Sequence, residues 1–319
     1  MLSNFNINNC SFIVFGYRDS TATHRHIHNG ILRALEGTYG GRCIGWLDPG
    51  EQDRIPPNTL VISNWEPANE LPVRDDLFYV IHGMNDHLET KERFWDRGLS
   101  WNVFVANSHS QAIGGAGPIP GAVKDPDAGY FLDKDIPFWP QERRLDFRWP
   151  TDLLPWEVRA NKPDHILGRD SSIIHYVGTR WRINEKELDA FAEGVRSAGF
   201  RFQLHGGVSM KDHIRLIQES RIAPAILGSH HLTEGYLSCR LSKNVSYGHL
   251  GVTNSQACQD IFEGRLILDT NPRTLYQTAE EAIQHKTLKD LHEQMEFVAT
   301  NHTYVNRLDA VFKAIRALI

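Results

Sequence analysis

Residues 172–207 read SIIHYVGTRWRINEKELDAFAEGVRSAGFRFQLHGG, and this stretch decides the fold. Ser172 to Val177 is a run of β-branched and aromatic residues that stops at Gly178, as a buried strand stops at a turn. Over 185–198, Leu188, Phe191, Ala192 and Val195 recur at helical spacing and form one apolar face. Phe200 to Leu204 is a second apolar run, closed by Gly206 and Gly207. Strand, helix and strand in so short a span make a βαβ unit, and its strands are parallel because the helix carries the chain back.

Working outward, the unit repeats toward the C terminus. Ser209 is placed to cap a helix running through Ser220, with Asp212 three residues on as its capping-box partner. Ile222 to Leu227, Leu250 to Thr253 and Leu266 to Leu268 supply three further strands, with helices expected around 236–247 and 272–285. Five strands alternating with helices predict a doubly wound parallel sheet. Such sheets bind ligands at the carboxyl ends of their strands.

Toward the N terminus the same alternation returns. Phe12 to Phe15, Leu60 to Ile62, Phe78 to Ile81 and Val103 to Val105 read as strands, and Ile27, Ile31, Ala34 and Leu35 mark a helix after the first, closing at Gly37. Residues 110–170 break the pattern with GGAGPIPG, DIPFWPQERR and RWPTDLLPWEV. Their glycines and prolines exclude regular helix and central strand, so surface loops and the connection between two domains are expected there.

The 319 residues exceed what one core usually serves, which supports two domains. The boundaries read as 1–165 for an N-terminal Rossmann-like domain, 166–290 for a C-terminal Rossmann-like domain and 291–319 for closing helices. A net charge of −5 gives no overall attraction for nucleic acid. The four cysteines have no CxxC spacing and are too few for a disulfide scaffold, and no apolar run is long enough to span a bilayer. A soluble, cytoplasmic protein without a transmembrane segment is the expectation.

The strand ends of the C-terminal half carry chemistry of one kind. Gly178-Thr179-Arg180 with Arg182, His205-Gly206-Gly207, the turn around His230, and Glu234-Gly235-Tyr236 follow successive strands. Small residues let a phosphate reach backbone N–H groups, helix N-termini favour anions, and Arg180 with Arg182 can neutralise a leaving diphosphate. These features converge on a nucleoside diphosphate. No GxGxxG with a downstream acidic residue follows a strand, which argues against a dehydrogenase. Sixteen histidines include His24, His26, His28, His82, His87, His230 and His231, yet none lies in HExxH or carboxylate-rich spacing, so no metal is expected.

The stretch from Ile173 to Ile283, with IIHYVGTRW, FQLHGG, IAPAILGSHHLTEGYLSCRLSKNVSYGHLGVTNS and ILDTNPRTLYQTAEEAI, resembles the donor-binding domain of GT-B glycosyltransferases. It is most similar to the family-1-like group that includes CgeB-type proteins, and NHTYVNRLDAVFKAI resembles the terminal helix of that group. The resemblance implies an α/β fold of two Rossmann-like doubly wound domains facing each other across a cleft. It implies transfer of a hexose-like sugar from a nucleoside-diphosphate sugar to a glycan or other hydroxyl acceptor, without cofactor. YVIHGMND and FVANSHSQ resemble strand ends of the retaining enzymes of this fold. By that likeness His82 touches the transferred sugar, while Gly16 and Arg18 form a first glycine turn.

Glu234-Gly235-Tyr236 fits the family's first glutamate, but Lys243 stands where a second glutamate commonly meets the ribose. A lysine cannot accept the ribose hydroxyl protons, although it can meet phosphate. Arg240, one turn earlier, would make a cationic wall with it, and Asn244 follows in the same donor-binding helix. An inverting reaction needs a general base, for which Asp19 and Asp86 are placed; a retaining one, which the likeness favours, does not. A sugar-nucleotide epimerase of the same shape and an inert nucleotide-sugar-binding protein are the alternatives.

Overall fold

The computed structural model describes residues 5–19, 23–82, 93, 103–107, 144–166, 170–180, 184–233 and 235–318, with backbone alone at 23, 24, 103–107, 144–146, 230 and 318. The chain divides into two compact units, one of residues 1–148 and 304–319 and the other of 149–303.

The first unit holds a parallel sheet of six strands: β1 (Ser11–Phe15), β2 (Cys43–Leu47), β3 (Thr59–Asn64), β4 (Leu77–His82), β5 (Val103–Asn107) and β6 (Arg144–Asp146). Their order is β2-β1-β3-β4-β5-β6, so the direction of winding reverses between β1 and β3. Phe12, Ile13, Val14, Leu60, Val61, Ile62, Phe78, Tyr79 and Val80 are all at most 1% exposed, as strands covered on both faces must be.

β2 escaped the sequence reading because CIGWL is broken by a glycine. Gly45 has φ +115°, and the register with β1 jumps from Phe12 opposite Cys43 to Ile13 opposite Gly45. Ile44 is thus left in a bulge, 45% exposed. The first helix, α1 (Thr23–Tyr39), runs past Gly37, where the sequence reading ended it. Gly37 is exposed and inside the helix; the chain leaves it through the tight turn at Gly40–Arg42. A short helix, α2 (Trp65–Ala68), follows β3.

The second unit contains β7 (Ile173–Val177), β8 (Arg201–His205), β9 (Ala223–Ala225), β10 (Gly251–Thr253) and β11 (Ile267–Leu268). The five expected strands are present, but their ladder is in two pieces, β7-β8 and β11-β10-β9. Pro224, central in β9, has no N–H to donate, which explains the break. Two other bonds join β7 to this segment: Arg221 N–H donates to Ile173 O at 2.8 Å, and His175 N–H donates to Ser220 Oγ at 2.8 Å.

The helices of this unit are α3 (Pro155–Ala160), α4 (Glu185–Ser197), α5 (Met210–Glu219), α6 (Ser229–Thr233), α7 (Cys239–Ser246), α8 (Gln256–Ile261), α9 (Leu275–His285) and α10 (Leu288–Asn301). α4 buries Leu188, Phe191, Ala192 and Val195, the face read from the sequence. Ser209 caps α5 by accepting from Asp212 N–H at 3.1 Å.

The division falls between Arg148 and Trp149, not at 165, because the segment after 148 packs into the second core. Val158 of α3 and Val298 of α10 are wholly buried in that core, and Arg159 forms an ion pair with Glu296 at 2.8 Å. The closing helices also part company. α11 (Tyr304–Leu318) belongs to the first unit, where Phe312 meets Phe12 with centroids 5.3 Å apart and Tyr39 Oη donates to Asp309 at 3.2 Å. Gly30 of α1 makes room for the Tyr304 ring, which occupies the position a Cβ would take. Among the described residues no helix is long and apolar enough to cross a membrane. The glycine- and proline-rich part of 110–143 lies outside the described residues.

Candidate functional site

In the second unit, the carboxyl end of β7 is built around one arginine. Arg240 lies in the first turn of α7, whose N-cap Ser238 accepts from Arg240 N–H at 3.3 Å. Its Nε donates to Val177 O at 2.9 Å, and its guanidinium lies over the Tyr176 ring at 4.3 Å from the centroid. A cation over an aromatic face is attracted by the ring quadrupole. Gly178 is a glycine because this guanidinium occupies the position of its missing Cβ, and because its φ is +154°. Among the described residues Arg240 forms no ion pair with a carboxylate, so its charge is held in place and left unmatched.

The neighbouring strand end joins this cluster. Gly178 N–H donates to His205 O at 2.8 Å, and His175 Nδ1 lies 2.9 Å from His205 Nε2. Burial first, and then His205, hold the His175 imidazole below the usual histidine range. Gly206 and Gly207 are exposed with open space around them, and only Gly207, at φ +66°, needs glycine for its backbone. Tyr236, after Gly235 at φ +61°, stacks on His231 with centroids 4.5 Å apart.

Two other cations proposed from the sequence, Arg180 and Lys243, are already matched. Arg180 is exposed and pairs with Asp189 at 2.7 Å and Glu185 at 2.8 Å. Lys243, expected on the diphosphate, is instead largely buried and paired with Asp152 at 3.0 Å, and Tyr247 Oη donates to the same carboxylate at 2.7 Å. Burial is the largest influence on Asp152 and raises it, yet Lys243 and the Tyr247 hydroxyl together outweigh it and hold the carboxyl low. Burial likewise lowers Lys243, and Asp152 more than restores it. The expected cationic wall of Arg240 and Lys243 is therefore one half-buried charge without a carboxylate among the described residues and one internal ion pair.

Asn244 is wholly buried and donates to Ala223 O at 2.9 Å, at the start of β9 rather than at its carboxyl end. Thr179 is exposed, and its carbonyl accepts from Asn184 at 3.2 Å. Arg182 and Glu234 lie outside the described residues, as does the His230 side chain. Sequence reasoning missed Tyr176, Asp152 and Glu187, whose Oε1 accepts from Ser229 N–H at 3.1 Å. Asp152 alone had a legible signal, a carboxylate set directly before the apolar run Leu153, Leu154 and Pro155.

In the first unit the reversal between β1 and β3 brings a second group of residues together. His82 ends β4 and is 2% exposed; His28, on α1, is 1% exposed, and their Nε2 atoms are 2.9 Å apart. The His28 ring stands edge-on to Trp46, whose Nε1 donates to Gly16 O at 2.7 Å. Gly16 is a glycine here because a Cβ would lie 2.9 Å from two atoms of the His28 ring. Arg18 and Asp19 follow on the surface. Arg18 pairs with Asp48 at 3.3 Å, so its charge too is matched, and Asp19 is exposed. Asp86 lies outside the described residues. Among the described residues no three histidine, cysteine or acidic side chains group as metal ligands do.

No family profile matches the sequence, and no curated protein sequence matches it. The crystal structure of a glycosyltransferase from Rickettsia africae ESF-5 is similar to it, with a TM-score of 0.54 over 97% of this chain and 99% of that one at 10% identity. The chain therefore has the fold of a glycosyltransferase, and identity this low speaks for fold alone. The ligand-free, open structure of a substrate-binding protein from Clostridium difficile covers 88% of this chain at 10% identity, but its TM-score of 0.19 carries no argument.

Proposed function

We propose that this protein is a metal-independent GT-B glycosyltransferase of the CgeB-like group. It moves a hexose-like sugar from a nucleoside-diphosphate sugar to a glycan or other hydroxyl acceptor, with retention of configuration and in the cytoplasm. The observation that carries the donor assignment is Arg240, fixed at the end of β7 with no carboxylate partner among the described residues. Glycosyl transfer requires stabilisation of a departing diphosphate, and a preorganised guanidinium supplies it without a metal. The fold shared with a glycosyltransferase supports the same reading. His82 is assigned to the transferred sugar, where its interaction grows as positive charge develops at the anomeric carbon.

The test incubates the pure protein with UDP-glucose, UDP-N-acetylglucosamine and GDP-mannose, with and without sugar acceptors, and follows nucleotide release. Acceptor-dependent release is expected. Release of an altered monosaccharide would make the protein an epimerase, and binding without turnover would make it an inert nucleotide-sugar-binding protein.

A further inference from the structure

We propose that His28 is a positioning residue for His82, an inference that rests on the sugar-handling role just assigned to His82. Two imidazole nitrogens 2.9 Å apart require one proton between them, since two bare nitrogens repel and two N–H groups clash. One ring therefore donates and the other accepts. The hydrogen bond at one nitrogen of a histidine determines whether the other carries the proton. His28 thus holds the orientation of His82 and sets which of its nitrogens carries the proton.

His28 can do this because it is itself held. It projects from α1, meets Trp46 edge-on with centroids 5.3 Å apart, and fills the space left by the absent side chain of Gly16. Trp46 is tied in turn to the Gly16 carbonyl. The ends of β1, β2 and β4 and one helix therefore converge on a single contact between two buried rings. In the sequence His28 stands in a histidine-rich HRHIH segment and shows no sign of a partner 54 residues later.

The experiment combines kinetics with 15N-histidine NMR on the full chain. His28→Phe keeps the ring and removes the hydrogen bond, and His28→Gln restores a polar partner. Losing a buried hydrogen bond made to a reacting group should lower kcat about ten-fold in His28→Phe with the donor KM little changed. His28→Gln should recover part of that loss, and it also serves if His28→Phe fails to fold. The NMR spectrum should show one His82 tautomer in the wild type and a mixture in His28→Phe. An unchanged His82 tautomer in both variants overturns the inference whatever the activity. So does a shift of both Nε2 resonances on adding Zn²⁺, which would make the pair metal ligands. If no nucleotide sugar is turned over while the tautomer still depends on His28, the transfer reading fails and the positioning role stands.

Discussion

Arg240 shows how a charge becomes usable: its carbonyl partner, its aromatic bed and the missing side chain of Gly178 all fix its position, and none of them neutralises it. Arg240→Ala should weaken nucleotide binding by about ten-fold or more, since a charge-assisted contact is worth roughly 1.5–3 kcal/mol. Arg240→Lys should recover little, because an ammonium cannot both bond to Val177 O and lie flat on Tyr176. Titration calorimetry with UDP and GDP checks both variants, and affinity unchanged in each would remove Arg240 from the donor site. Gly178→Ala drives a methyl group into the guanidinium and should reproduce the loss without touching a charge. Gly16→Ala is the counterpart in the first unit. Forcing the buried His28 ring aside should cost about 1–3 kcal/mol in denaturant melts, and a wild-type midpoint would show that the ring can move freely.

At the scale of elements, α7 carries two cations with opposite fates. Lys243→Ala would leave the largely buried Asp152 without its counter-charge, a loss of about 3–5 kcal/mol, whereas Asp152→Leu with Lys243→Met should regain part of it. Urea melts of the two variants beside the wild type decide this; equal stabilities throughout would mean that water reaches the pair. Its pH dependence has two limbs. The Asp152 carboxyl is held low, so it stabilises the fold above about pH 4 and its contribution is lost as pH falls through the lowered value. The Lys243 ammonium is held high, so it stabilises below about pH 10 and is lost as pH rises through the raised value. Stability of the double variant should change less at both extremes.

These contacts also mark where the sequence was readable. Buried parallel strands such as Phe78 to Ile81 announce themselves because every residue is apolar, and α4 does so through its single apolar face. Gly45 concealed β2 by interrupting it, and Pro224 gave no warning that the second sheet would break beside β7. The glycine turns at the strand ends were legible; the fates of the cations near them were not. Whether an arginine or lysine is matched depends on residues distant in the chain, as Asp152 is from Lys243, and local spacing carries no trace of such a partner.

At the scale of the whole molecule, each unit has its own core, and the second is one uninterrupted segment. A fragment of residues 149–303 should therefore unfold in a single cooperative transition and retain nucleotide affinity, checked by calorimetric melting with and without UDP. A broad, non-cooperative melt would show that the segment is not a domain. The ends of that segment meet: Thr151 N–H donates to His302 O at 3.0 Å, and Thr151 bridges Thr303. The first unit, by contrast, is assembled from two pieces separated by the whole of the second. Docking α11 on α1 while the intervening chain is unfolded means closing a very long loop, whose entropic cost grows with its length. Once the second unit is folded, its joined ends deliver Tyr304 directly after Arg148 and Trp149, and the loop is in effect a few residues long. The connectivity thereby predicts an order of folding: in pulse-labelling hydrogen exchange α11 should gain its amide protection last, after the segment that separates it from the rest of its own unit has become compact.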